Sequence, residues 1–443
     1  MQIIWRDSSD SADYEQARVN NVFNLDRPNY FPRAVILATS AEHVIEAVKI
    51  AQQGNCQLAV RSGGHSIQVW SLQEHSILLD LGSWKEIRVD AESSTAKVTT
   101  SVTGQELNQY LQEHHDLMFP AGHCPDVGLG GFMLQGGQGW NCRNWGWAAE
   151  KLLAVEVVTA EGKLLLCNKD QHQDLYWAAR GAGPLFPAIA TTFHLQLLPY
   201  PVGFRSSVYL YPARMYRTAF DWVQSVVPTT DQDTEIVMVA FHSEPDRELC
   251  FQVVFVTMKN NIAEAEEALM KLHIGHPLGT LSEKLCQEES LENLHHGQAM
   301  ASPKSLYYYT DNAFIDEQAT VTEVLEDGFL NLPPGKSWAF WCPMYPRSER
   351  VVSDMAMVVP SNHYFSMYSI AETEDQAPRC KAWVDETIAG IKKYAVGSYI
   401  GEGDLKQTLE WYWGAPNARR LQEVRQLWDP TSLFSSVHQL ARR

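Results

Sequence analysis

Val60-Arg61-Ser62-Gly63-Gly64-His65-Ser66 directly follows a strand-like run. A second glycine-rich stretch lies further on, Pro120-Ala121-Gly122-His123-Cys124-Pro125-Asp126-Val127-Gly128-Leu129-Gly130-Gly131-Phe132, continued by Gly136-Gly137-Gln138-Gly139. In the first stretch, consecutive glycines let the backbone approach a ligand closely and aim several N–H groups at an anion. A Gly-Gly turn ending in His suits a pyrophosphate with a reactive imidazole beside it. The same residues also suit a tight surface turn with a solvated His. In the second stretch, seven glycines between 122 and 139 imply backbone close to something flat or charged, or several forced positive-φ positions. Neither stretch opens a βαβ unit with an acid about 20 residues on, so a Rossmann site is excluded. Cys124 reads either as a small buried hydrophobe or, beside His123 in a glycine loop, as a reactive thiolate.

Around these stretches the chain alternates short strands with amphipathic helices. Residues 41–53 have helical apolar spacing with Ser40 as N-cap. Residues 57–60, 77–81, 87–90 and 96–99 read as strands, 104–114 as a helix, and 152–159, 164–167 and 189–198 as strands again. This is an α+β pattern, without the regular rhythm of a doubly wound sheet. Pro199 and Pro201 mark a boundary. Beyond it, strands at 235–241, 251–257 and 364–371 alternate with helices at 213–227, 263–272 and 381–393, which predicts an antiparallel sheet backed by helices. A helical pair, 405–413 and 417–428, ends at Asp429-Pro430.

Length and composition set the outer limits. A chain of 443 residues exceeds one ordinary core, so two domains are expected. A formal net charge of −18 argues against nucleic acid as partner, because phosphate binding needs a basic footprint. No apolar run approaches the roughly 18 residues of a membrane span, and the start, Met1-Gln2-Ile3-Ile4-Trp5-Arg6-Asp7, lacks a secretory signal's features. Eight cysteines without a CxxC pair signal neither a disulfide framework nor a zinc ribbon. A cytoplasmic enzyme with reduced thiols is the expectation. The pairs His114-His115 and His295-His296 read as solvated, since no carboxylate or Cys completes a metal site, and no metal is expected. The composition leaves the oligomeric state unknown.

Together the two glycine-rich stretches resemble the vanillyl-alcohol-oxidase/PCMH flavoprotein superfamily, specifically its berberine-bridge-enzyme-like branch. Arg61-Ser62-Gly63-Gly64-His65 is similar to the motif whose His bonds to the flavin 8α-methyl. Residues Gly122 to Gly131 match G-x-C-x-x-V-G-x-G-G, whose Cys bonds to flavin C6. Asp174-Leu175-Tyr176-Trp177-Ala178-Ala179-Arg180-Gly181 matches a third motif, and Tyr412-Trp413-Gly414-Ala415-Pro416-Asn417 with Arg420-Leu421, Val424 and Trp428-Asp429-Pro430 matches the family's ending. The resemblance implies a PCMH-type FAD-binding domain of two α/β subdomains over residues 1–198, completed by 415–443. It leaves 199–414 as a substrate-binding domain. It implies covalent, bicovalent FAD on His65 and Cys124. Arg61, Ser62, Gly63, Gly64, Ser66, Val127, Gly128, Gly130, Gly131, Gly137, Gly139 and Asn417 are the other expected cofactor contacts. The resemblance also implies that Val127, three residues after the Cys, lies near the flavin ring and influences access of dioxygen.

Three segments depart from the family pattern. Gly130-Gly131-Phe132 stands where the family often has Gly-Gly-His. Gly181-Ala182-Gly183-Pro184-Leu185-Phe186-Pro187-Ala188-Ile189 carries two prolines, which removes two backbone donors expected near the flavin. Tyr399-Ile400-Gly401-Glu402-Gly403-Asp404 carries a glutamate at the familiar base position. Glu402 is therefore a candidate base if burial raises its pKa, with Tyr399 and Tyr412 as alternatives; an exposed loop acid is the competing reading. Trp140, Trp145, Trp147, Trp411 and Trp413 are candidates for walling an apolar pocket as well as for ordinary core. The resemblance implies an FAD-dependent oxidase. It would act on a hydroxyl, amine or C–H of a small-molecule substrate, with dioxygen as acceptor. An oxidative or non-redox cyclase of secondary metabolism is the alternative.

Overall fold

The computed structural model describes residues 1–7, 10–244, 247–344 and 353–434. The first glycine turn grows out of a small mixed sheet, ordered Gln2–Trp5, Ala34–Leu37, Ile77–Asp80, Leu58–Arg61. Its last three strands run parallel. Helix Ala41–Gln53 packs Val44, Ala47, Val48 and Ala51 inward, and the Ser40 side chain accepts from the His43 N–H at its start. The strand Leu58–Arg61 delivers residues 62–66 to the wall of a cavity.

A five-stranded antiparallel sheet follows, ordered Ile87–Asp90, Thr95–Thr99, Ala188–Gln196, Leu152–Thr159, Leu164–Asn168. Helix Gly104–His115 carries a capping box, in which Thr103 and Glu106 satisfy each other's backbone N–H. The third sheet has eight antiparallel strands: Ser282–Glu288, Gly203–Pro212, Leu249–Lys259, Thr234–His242, Trp338–Pro343, His363–Ala371, Tyr307–Ile315, Ala395–Gly397.

That third sheet is apolar on both faces, which side-chain alternation makes possible. Ile236, Met238, Val253, Phe255, Ala339 and Trp341 pack against Tyr216, Phe220 and Trp383 from its covering helices. The intervening residues Val237, Val239, Val254, Val256, Phe340 and Cys342 face a cavity. Its helices start and stop close to the expected places, but the sheet has several strands beyond those expected at 235–241, 251–257 and 364–371. One of them, Tyr307–Ile315, contains Asp311-Asn312, which local propensity disfavours in a strand; tertiary hydrogen bonding overrides that preference, as shown below.

The segment ending at Phe434 returns to the first sheet. Helix Leu409–Trp428 is broken at Gly414 (φ 67°, ψ 155°), where the helical pair expected from the sequence divides. Asp429 then accepts from the N–H groups of Leu433 and Phe434, and Leu58 N–H donates to the Leu433 carbonyl. The last part of the expected FAD-domain tail, 435–443, lies outside the described residues. The largest buried cluster joins residues 96–197 to Phe314, Tyr364, Tyr399 and Trp413.

Arg61 fixes the strand that carries the glycine turn. Its guanidinium donates to Asp80 Oδ2 at 3.0 and 2.5 Å and to the carbonyls of Ala17 and Arg18 at 2.6 and 2.5 Å. With 1% of its side chain exposed, the cation depends on that carboxylate. Asp80→Ala leaves an uncompensated buried charge and is expected to cost about 3–5 kcal/mol in denaturant unfolding; a cost under about 1 kcal/mol would contradict the pairing's importance.

Candidate active site

The two glycine stretches, far apart in sequence, meet backbone against backbone. A Cβ on Gly63 would lie 2.6 Å from Gly128 N, and one on Gly128 would lie 2.8 Å from Gly63 Cα. Gly64 adopts φ +76°, and a Cβ there would collide with the Asn21 carbonyl. Only glycine tolerates both constraints. This contact brings His65 and Cys124 into the wall of one cavity of about 860 Å³.

Of the expected cofactor contacts, Arg61, Ser62, Gly63, Gly64, His65, Ser66, Cys124, Val127, Gly128, Gly130 and Gly131 all line this cavity. Gly137, Gly139 and Asn417 do not. Gly137 donates its N–H to Tyr399 Oη at 3.2 Å, and Gly139 bridges Gly122, lying against the Pro120 carbonyl. Asn417 Nδ2 donates to the carbonyls of Met355 and Ala356, at 3.1 and 3.0 Å, so it secures that segment. Arg61 is present in the wall, but its guanidinium is committed to Asp80 and two carbonyls as described. Phe132, at the place of the family's frequent His, packs its ring against Gly122 and Gly137.

His65 is stacked on Phe23, with ring centroids 3.9 Å apart. Its Nε2 lies 3.2 Å from Asp126 Oδ1 yet makes no well-directed hydrogen bond, leaving a buried ring nitrogen unsatisfied. Burial opposes ionisation of Asp126, but His65 and Lys304, 3.0 Å from Oδ2, hold its carboxyl well below the usual range. Cys124 behaves differently from the thiolate reading. Burial first, then Asp126 and Glu402, push its thiol up to about 12, so at neutral pH it is a protonated thiol. Sequence adjacency to His123 does not lower it, because His123 Nε2 is turned to Glu235 Oε1 at 3.1 Å.

Across the cavity stands Glu402. It accepts from Tyr364 Oη at 2.5 Å and Tyr368 Oη at 2.6 Å, and both phenols are held well above their usual range by burial and by Glu402's charge. Tyr368 is stacked on Trp338, centroids 4.1 Å and planes 7° apart. The exposed-loop reading of Glu402 is thereby excluded. Tyr399 lines the cavity too, with its hydroxyl at Gly137 N–H. Tyr412 does not line it; burial first, then Asp404 and Asp311, hold its phenol well above the usual range.

Asn312 sets the position of the loop. Its Oδ1 accepts from Tyr399 N–H at 2.7 Å and Ser398 Oγ at 3.0 Å, while Nδ2 donates to the Tyr399 carbonyl at 2.9 Å. Thr310 Oγ1 donates to the Glu402 carbonyl. Sequence reasoning missed Asn312, Tyr364, Tyr368 and Trp338. The strand alternation of 364 and 368 was the available signal, but it does not tell which face meets a ligand. Of the tryptophans considered earlier, Trp140 walls the cavity, whereas Trp145, Trp147, Trp411 and Trp413 do not. His295, expected solvated, is 2% exposed: it sits one turn after Leu291 on the inner face of helix Leu291–Ala301.

These residues fit FAD. The glycine contact gives close backbone approach, an unsatisfied imidazole nitrogen and a thiol stand in one wall, and the cavity is of ligand size. The comparisons agree. Residues 32–168 match the model of an FAD binding domain and 398–439 match that of berberine and berberine-like proteins. The FAD-linked oxidoreductase janO of Penicillium janthinellum is 35% identical over 446 residues, covering 97% of this chain and 96% of that protein. The FAD-linked oxidoreductase nodO of Hypoxylon pulicicidum is 33% identical, covering 99% and 97%. Among solved structures, a berberine-bridge-enzyme-like protein of Physcomitrella patens superposes with a TM-score of 0.84 at 18% identity, covering 98% and 96%.

The glycine contact is testable. Gly128→Ala is expected to part the two stretches and lower the flavin-to-protein ratio severalfold while far-ultraviolet dichroism is kept; full flavin content in this variant would overturn the contact's role.

Proposed function

The chain belongs to the berberine-bridge-enzyme-like family of FAD-linked oxidoreductases, and on that premise we propose that it is an oxidase with FAD tethered through His65 and Cys124. The reading draws on His65 Nε2, buried and unsatisfied, and on Cys124 in the same cavity wall. Residues 1–198 with the returning tail form the cofactor unit in this reading, and 199–414 the substrate unit. When bound, the flavin supplies a two-electron acceptor for a hydride from the substrate.

The residues of the chain do the rest. An apolar small molecule is held against Val237, Val239, Val254, Phe340 and Trp338. Its hydroxyl, amine or activated C–H gives up a proton to the Glu402 carboxylate. Tyr364 and Tyr368 hold that carboxylate in one orientation and remain protonated, since their own ionisation is disfavoured. A substrate seated against this largely apolar wall would displace water, which strengthens these charge interactions. The observation that carries the reading is Glu402 facing the cavity between two phenol donors.

For any compound that bleaches the flavin anaerobically, Glu402→Gln is expected to slow bleaching by about 100-fold or more with flavin content intact. An unchanged rate would remove Glu402 from the chemistry. Turnover that yields an isomer without hydrogen peroxide would favour the non-redox cyclase reading instead.

For the tether, flavin should remain with acid-precipitated protein and persist in His65→Ala through Cys124. Complete release from the unaltered protein would refute it.

Val127 also lines the cavity. Dioxygen needs a small space that one or two added methyl groups can fill. Val127→Leu should slow reoxidation of dithionite-reduced protein in air far more than substrate-driven reduction. Equal slowing of both half-reactions would reject a dioxygen gate at this position.

A further inference from the structure

A second cluster of ligating side chains lies away from the cavity. Helix Ile262–His273 ends at His273, and the following turn brings back His276, whose N–H donates to the His273 carbonyl. The edge strand Ser282–Glu288 pairs Glu283 with Tyr209 of the neighbouring strand. That register sets the Glu283 side chain on Tyr209's face of the sheet, the face whose Tyr209 hydroxyl is 3.1 Å from His273 Nδ1. As a result one ligand atom each from His273, His276 and Glu283 lies within 4.8 Å of the others. None of the three lines the cavity.

The hydrogen bonds around the cluster fix its chemistry. His276 Nδ1 is 2.7 Å from the His273 carbonyl, an acceptor only, so Nδ1 carries the proton. The lone pair of a neutral ring is then on Nε2, and Nε2 faces Glu283 Oε1 at 3.1 Å. With the ring neutral, two acceptors face each other there, and a cation held between them would satisfy both. Thr280 Oγ1 donates to the same Oε1 at 2.6 Å and holds the carboxylate in place. A ring nitrogen bound to a backbone carbonyl, which fixes the lone pair on the other nitrogen, is the arrangement that metal-ligating histidines use. The His273 ring stacks on His276 with centroids 4.3 Å apart, which keeps the two imidazoles together at the helix end. The negative end of a twelve-residue helix also points here, which favours a cation.

We propose that His273, His276 and Glu283 form a binding site for a borderline divalent cation, Zn2+ above all, which staples the helix end to the exposed edge strand. Two imidazoles and one carboxylate are a donor set suited to zinc, with a further position left for water. Its consequence is stability of the sheet edge, not flavin chemistry.

The test is titration of metal-stripped, flavin-loaded protein with Zn2+ against a chromophoric chelator, with Co2+ absorption as a reporter of coordination. About one equivalent should bind and raise the thermal midpoint. His276→Gln and Glu283→Gln should each weaken binding about tenfold or more and abolish the thermal shift, with flavin content unchanged. Failure to bind zinc stoichiometrically would overturn the site. So would binding that both variants leave unaltered, since the metal would then sit elsewhere.

Discussion

Gly63 and Gly128 lie against each other where side chains are missing, and a Cβ on either would come within 2.8 Å of the other's main chain. Everything at the candidate site depends on that approach. It joins the edge strand of the first sheet to the loop that precedes helix Leu129–Leu134, and it sets His65 and Cys124 in one wall. The contact is held from behind by Arg61, whose buried cation is matched by Asp80 and two carbonyls. Buried charge of this kind is stable only when fully partnered, so the glycine turn rests on a network that includes the first helix, Ser11–Val19.

The opposite wall is built by a different logic. An eight-stranded sheet apolar on both faces packs one face under helices and offers the other to a ligand. Two polar side chains at that wall are fixed by their neighbours. Asn312 uses its side chain to fix the backbone at Tyr399, and Glu402 is then carried to the two phenols. Hydrogen bonding of this sort fixes the orientation of a carboxylate in a shaped, largely apolar cavity.

Segments from the first and last described parts of the chain both feed the first sheet. The strand Gln2–Trp5 pairs at one edge, and the segment after Asp429 bonds to Leu58 at the other. Asp429 is 2% exposed and accepts from two backbone N–H groups, so it ends the helix and turns the chain in one step. The family's ending motif is thus a structural closure, and Asn417, within it, secures the segment at Met355 and Ala356 instead of reaching the cavity.

By itself the sequence determined the α+β class, most helix positions, the family, FAD, and the residues His65, Cys124, Val127 and Glu402 in the cavity wall. These were legible because they depend on local requirements: glycine where no Cβ fits, apolar spacing at helical period, a short motif with fixed chemistry. Only the tertiary structure decided the rest. The strand Tyr307–Ile315 runs against the preference of Asp311-Asn312, since Asn312's partners lie at 398 and 399. Tyr364 and Tyr368 look like any alternating strand residues until the sheet's two faces are assigned. Cys124 is a protonated thiol because burial and two carboxylates outweigh a neighbouring His that bonds elsewhere. Tyr412 and Gly137 carry motif positions yet serve packing and loop support, because a motif specifies residue types along the chain, whereas contact with a ligand is set by which surfaces the fold brings together.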